Sequence, residues 1–231
     1  MQAYRVIPPR HFLVSSAASS DRAANAVMAA IRQQKSGALQ ASSASLYAYD
    51  DGLAYEFKHP RVQGSARFSP ERPTAGTLYC AYQARTALAE RAFQQWRFIR
   101  EQGGGELSTH VPTTQISFDL TAMPAIDVRQ PPFDQEVAFA APGQDYAETQ
   151  AFAQQVRDTT AAGIVYTSVR DIEHGANLAL FSVEALARST LDRRRVRDWF
   201  VSVSATSDEV IIQSTSGTTH HFGFDAQGRP V

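Results

Sequence analysis

Three β-like runs close the sequence, Trp199 to Ser204, Glu209 to Ser214 and Thr219 to Phe224, separated or followed by Ser-Asp, Ser-Gly and Gln-Gly turn dipeptides. Strands joined by links this short pair antiparallel, because a parallel neighbour needs a crossover of about a dozen residues or more. A C-terminal β meander is expected, attached to whatever core the preceding residues build. Upstream, strands and helices do not alternate as a regular βαβ series, and no G-x-G-x-x-G follows a strand. Both facts argue against a doubly wound parallel sheet and leave a mixed α+β fold as the better fit.

Along the chain, Tyr4 to Ile7 reads as an opening strand closed by Pro8-Pro9, and Arg22 to Gln34 as a helix led by Ser19-Ser20-Asp21. Residues 37–60 are polar with scattered aromatics and read as loop with weak elements. Thr77 to Gln83 is a central strand, and Ala84 to Gln102 a helix carrying Leu88, Ala92, Trp96 and Ile99 on one side and stopped by Gly103-Gly104-Gly105. Gln115 to Leu120 is a further strand. Gln144 to Thr160 is a helix with Gly163 as its C-terminal cap, followed by the strand Ile164 to Tyr166, which delivers Ser168 at its end.

At 231 residues, with 43% hydrophobic and 19% charged, the chain can bury a sizeable core as one domain, 1–231, with a core of about 1–185 and a β extension of about 196–231. A net charge of -1 supplies no positive field to gather a polyanion, so direct nucleic-acid binding is not expected. The single cysteine, Cys80, excludes an internal disulfide and reads as an inert thiol in a buried strand. The amino terminus has no apolar leader, and no apolar run approaches the ~20 residues of a membrane span. A soluble, cytoplasmic protein is the expectation.

Within this frame, Arg67, Tyr79 and Glu90 recur at nearly equal spacing, and a second block places Ser168 and Asn177 downstream. An arginine fork can grip a pyrophosphate in two-pronged fashion, an aromatic ring can stack on a base, and a fixed carboxylate can stabilise a ribosyl cation or hold a ribose hydroxyl. Each residue also admits a plain role. Glu90 fits a solvated helix position beside Arg91, Arg67 a surface ion pair with Glu71, Tyr79 a core tyrosine, and Ser168 a backbone turn.

Taken together, Tyr4-Arg5-Val6, Arg67-Phe68, Leu78-Tyr79-Cys80-Ala81, Ala87-Leu88-Ala89-Glu90, Tyr166-Thr167-Ser168 and Asn177-Leu178-Ala179-Leu180-Phe181 resemble, in order and spacing, the RES domain family, the toxin halves of bacterial RES-Xre toxin-antitoxin pairs. The resemblance implies an ADP-ribosyltransferase-like mixed sheet with flanking helices. It also implies cleavage of the nicotinamide-ribose bond of NAD+, by hydrolysis, phosphorolysis or transfer of ADP-ribose onto a protein. By motif, the family's site falls on Arg67, Tyr79, Glu90 and Ser168, with Arg5 as a helper: Arg67, Tyr79 and Glu90 are the expected catalytic residues, and Arg5, Arg67, Tyr79 and Ser168 bind NAD+, joined by Asn177 in a supporting role, bonding neighbouring backbone to hold the Ser168 loop. The implied partner is a cognate Xre-type helix-turn-helix antitoxin. One departure stands out: Ser65-Ala66-Arg67-Phe68 replaces the Gly-Gly-Arg-Trp common in the family.

A Ser-His-Asp hydrolase built on Ser168, Asp171 and His174 lacks the G-x-S-x-G elbow and is not favoured. None of the six histidines has metal-ligand spacing, so no metal is expected; His59 is retained as a weak substrate-side candidate. The rival of a different class is a binding module that keeps this fold without catalysis and acts through an antitoxin or another partner. The acceptor of ADP-ribose, the target, the oligomeric state and the roles of 15–61 and the C-terminal extension stay open at this stage.

Overall fold

The computed structural model describes residues 1–7, 53, 57, 66–70, 75–101, 108–136, 139, 146–186, 196–204 and 207–231. Its strands are β1 (Gln2–Ile7), β2 (Leu78–Ala81), β3 (Ser108–Asp119), β4 (Ile126–Asp127), β5 (Gly163–Thr167), β6 (Ala176–Leu180), β7 (Val196–Ser204), β8 (Glu209–Ser214) and β9 (Thr219–Gly223). They form one mixed sheet in the order β4-β5-β6-β2-β1-β3-β7-β8-β9. Only β4 and β5 run parallel; every other neighbouring pair is antiparallel. Helices α1 (Ala84–Glu101) and α2 (Ala147–Arg157) complete an α+β fold.

Cross-strand register decides which side chains share a face, since directly opposed residues project the same way. Ala81 opposes Asn177, which opposes Tyr166, so these three and their i±2 neighbours Tyr79, Ala179 and Ile164 line one face. Cys80, Leu178 and Val165 line the other. Both helices lie on the first face. There α2 packs Ala153 and Val156 on Ile164, Tyr166 and Ala179. On the same side α1 packs Leu88, Ala92, Trp96 and Ile99 against Trp199, Val201, Ile212 and Phe224. Burying each such large side chain contributes about 1.5–3 kcal/mol, so α1 is pinned to the C-terminal meander by its apolar stripe. The second face carries Ala3, Leu78, Cys80, Ile116, Phe118 and Leu178, with Leu53 packed among them.

Several elements differ from their sequence-based outlines. Strand β3 begins at Ser108 rather than Gln115, because Thr113 and Thr114 are buried and the whole length to Ile116 is paired with β7. Helix α2 is shorter than 144–160, its C-cap is Asp158, and Gly163 opens β5 instead of ending the helix. Strand β6, not outlined from sequence, takes the central position between β5 and β2. Its five residues are all buried, leaving no polar alternation to mark a strand. The meander continues the main sheet through β3 and β7. The helix expected at 22–34, the loop 37–60, the Gly103–Gly105 stop, Glu71 and His59 lie outside the described residues, apart from positions 53 and 57. No described helix is long and apolar enough to cross a membrane.

Gly163 marks where the sheet tolerates no side chain: a Cβ there would stand 2.3 Å from the backbone oxygen of Ala179. Backbone in a central strand cannot move aside, so Gly163→Ala is expected to lower the unfolding free energy by about 2 kcal/mol or more, read from urea denaturation.

Candidate functional site

Glu90 lies in the second turn of α1, on the flank that faces β5 and β6. Its Oε1 accepts two hydrogen bonds, from Ser168 Oγ at 2.8 Å and from Asn177 Nδ2 at 2.6 Å. Asn177 and Ser168 are 2% and 0% exposed, so both donors are fixed in a packed interior. Ser168 is oriented in turn. Its Oγ accepts the backbone N–H groups of Arg170 and Asp171, each at 3.2 Å. With those two acceptor positions filled, the hydroxyl hydrogen is left to point at Glu90. The other carboxylate oxygen, Oε2, takes no hydrogen bond from any described residue. One carboxylate oxygen is thus anchored by two buried donors.

The loop between β5 and β6 is clamped from outside. Asp171, 1% exposed, is gripped by Arg85 and by Thr86 Oγ1 at 2.8 Å, both from the first turn of α1. Gly175 passes so close that a Cβ would meet Thr86 Oγ1 at 2.0 Å, and the Ser168 N–H bonds the Gly175 carbonyl at 2.8 Å. His174 adopts a positive φ of 53° in this tight path. Asp171 is therefore a strut between loop and helix rather than a member of a Ser-His-Asp relay, in keeping with the sequence.

Arg67 approaches the same region from a turn closed by reciprocal bonds between Ala66 and Ser69. Helix α2 holds that turn through Thr149, which donates to the Arg67 carbonyl, and Gln150, which donates to Ala66 and Ser69. The guanidinium, on a residue 8% exposed, donates to the Phe139 carbonyl at 3.1 Å and lies 5.4 Å from the centre of the Tyr166 ring. Phe68 meets that ring edge-on at 4.9 Å. Tyr166 thus sits between Arg67 and the Glu90 cluster. Burial pushes its phenol well above the ordinary value, and the nearby Glu90 and Tyr79 push it further. Its ring joins the Arg67 turn to the strand that leads to Ser168. Its i, i+2 relation to Ser168, which puts both on one face, is the signal in the sequence that would have marked it.

Tyr79 borders the cluster differently. Its hydroxyl accepts the Phe68 N–H at 3.1 Å, and burial raises its pKa to about 12. The ring ties the Arg67 turn to β2, a duty additional to the ligand contact expected of it. Arg5 stands apart: it neighbours Ile116 in the register and so projects to the opposite face, where it donates to the Tyr79 carbonyl at 2.8 Å. The structure brings Arg67, Tyr79, Glu90, Ser168 and Asn177 to one face and leaves Arg5 behind the sheet. Cys80 shares that rear face, and burial lifts its thiol to about 12, which keeps it protonated and unreactive.

Two further features escaped the sequence. Arg170, 8% exposed, lies 3.6 Å over the Phe93 ring and donates from Nη1 to the Gly228 carbonyl at 2.6 Å. Desolvation lowers its pKa, while Glu90 acts in the opposite direction. There is also a cavity of about 470 Å³, lined by Thr167, Val169, His174, Arg129, Phe133 and Arg229 among others, whose lining includes none of Arg67, Tyr79, Glu90, Ser168 and Asn177. Among the described residues no group of three or more His, Cys, Asp or Glu is placed to hold a metal ion.

Tyr79 gives a pH signature. Above its ordinary value of 10.0 the phenol of the unfolded chain loses its proton while the folded one holds it to about 12, so stability falls across that window. Tyr79→Phe is expected to flatten this alkaline fall and to cost about 1–2 kcal/mol near neutrality by orphaning the Phe68 N–H, measured by urea unfolding at about pH 8 and about pH 11.

The family model for the RES domain matches residues 45–201, a span that includes Arg67, Tyr79, Glu90, Tyr166, Ser168 and Asn177 but neither Arg5 nor β8 and β9. No curated protein matches the chain.

Proposed function

The chain belongs to the RES domain family, and from that membership together with the Glu90 cluster we propose that it is an enzyme that binds NAD+ as substrate and breaks its nicotinamide-ribose bond. The observation that carries this reading is the fixing of Glu90: Oε1 is held by the buried Ser168 and Asn177, on a residue that itself stays partly exposed. A carboxylate fixed in this way has already met its ordering cost and can act on charge that develops beside it. We read the sheet with its two helices as an ADP-ribosyltransferase-like core.

Cleavage of the glycosidic bond sends its electron pair to the nicotinamide nitrogen and leaves positive charge on the ribosyl carbon and ring oxygen. Glu90 stabilises that charge through Oε2. Arg67, within electrostatic reach of Tyr166 in the cluster, supplies the positive field that favours a pyrophosphate. Tyr166 stays protonated beside Arg67, and Tyr79 fixes the turn that aims Arg67. An acceptor hydroxyl, from water, phosphate or a protein side chain, bonds the ribosyl carbon and gives up its proton, which balances the reaction.

In the cell this activity is that of a cytoplasmic toxin restrained by a helix-turn-helix antitoxin of the Xre type. Glu90→Gln keeps the shape and removes the charge, and should lower the rate of nicotinamide release by about 100-fold or more while the melting temperature changes little. NAD+ labelled in its adenylate and incubated with a cell lysate separates the acceptors: label on one protein band means transfer, and free ADP-ribose or its phosphate means degradation. Growth arrest that persists undiminished in Glu90→Gln would instead identify a binding module.

A further inference from the structure

Residues beyond the family match reach into the site through one side chain. After β9 the chain forms a compact turn: Gly228 N–H bonds the Asp225 carbonyl at 2.8 Å, Asp225 N–H bonds the Arg229 carbonyl at 2.9 Å, and Val231 N–H bonds the Gly223 carbonyl at 3.1 Å. Asp225 Oδ1 accepts the backbone N–H groups of Gln227 and Arg229, and Phe224 at its base is 0% exposed. The turn is seated on α1. A Cβ on Gly228, whose φ is 74°, would stand 2.6 Å from Phe93 Cε2 and 3.3 Å from Trp96 Cζ3. The Gly228 carbonyl is therefore a fixed acceptor, and Arg170 donates to it at 2.6 Å.

Three contacts of Arg170 bear on the site. Its guanidinium stacks on Phe93, which follows Glu90 by three residues and so lies about one helical turn along α1. Its Nη1 holds the C-terminal turn. Its backbone N–H donates to Ser168 Oγ, the hydroxyl that in turn donates to Glu90. Cation stacking and a charge-assisted hydrogen bond in a packed interior are both strong and directional. Displacing the side chain shifts the backbone N–H that sets the Ser168 rotamer.

We propose that Arg170 is a positioning residue that braces the Ser168 and Glu90 pair against the C-terminal turn Asp225–Arg229, so that a segment outside the family match sets the aim of the carboxylate. Arg229 and Pro230, which follow Gly228, line the cavity that Thr167 and Val169 also border. Its catalytic consequence rests on the reading of Glu90 as the group that stabilises a ribosyl cation; its mechanical part does not.

The test uses the full chain with Arg170→Met, Arg170→Lys and Phe93→Leu. Backbone amide exchange of Arg170 and Asp171, the two donors to Ser168 Oγ, is compared with that of Val210 in β8. Faster exchange at the two donors in Arg170→Met and in Phe93→Leu, with Val210 unchanged, is the expected mechanical result. In NAD+ turnover, kcat should fall about 10- to 100-fold in Arg170→Met while KM stays within about 3-fold, as a misaimed group predicts. Arg170→Lys, which keeps the charge and loses the fork, should recover part of kcat. An unchanged kcat in folded Arg170→Met, or unchanged donor exchange, overturns the proposal. If Arg170→Met does not fold, Phe93→Leu decides on the same two measurements. If the unsubstituted protein releases no nicotinamide, the functional reading fails and exchange alone decides the brace.

Discussion

Glu90 Oε1 is the point at which helix α1, strand β6 and the loop after β5 meet through hydrogen bonds. Glu90 Oε1 belongs to a helix whose apolar side is seated on β7, β8 and β9, yet it takes its hydrogen bonds from β6 and from the loop after β5. Removing a charged group from water is unfavourable unless its hydrogen-bonding capacity is met. Here Asn177 and Ser168 meet it, and each is itself fixed by the sheet or by backbone N–H groups. Helix position, loop conformation and strand register are thereby mutually dependent.

The rest of the site follows from that coupling. Because α1 is held at its first turn by Asp171 and along its length by Trp96, Ile99 and their partners, the Glu90 backbone cannot follow its side chain toward solvent. Because α2 holds the Ala66–Ser69 turn, Arg67 is directed onto Tyr166 rather than outward. Two buried arginines, one tyrosine kept neutral by burial and one anchored carboxylate thus share one face of the sheet. Such a group has high local charge and little freedom to relax, the condition under which electrostatic preorganisation is strongest.

Helix α1, the meander and the strands β2 and β5 were legible because each has a local cause: helix-forming residues in a periodic stripe, short turn links, or apolar runs at strand length. Strand β6 was not, since every residue in it is buried and its identity as a strand comes only from its neighbours. The near half of β3 was missed for a related reason: polar residues such as Thr113 and Thr114 are buried there, Thr113 paired with β7 and Thr114 with both β1 and β7. Asn177, expected to bond neighbouring backbone and hold the Ser168 loop, is a strand residue whose side chain donates to Glu90.

The sequence by itself determined which chemistry was present: a carboxylate on the second turn of a helix, an arginine before a central strand, a serine at the end of another, and an order of motifs that identifies the RES family. Those properties are local, and composition and spacing carry them. Only the tertiary structure decided which of these groups meet. Strand alternation across β1 and β2 sends Arg5 behind the sheet, while a turn near residue 228 reaches a site centred on residue 90. Facing and proximity depend on register and on contacts between residues far apart in the chain, and no local pattern encodes either.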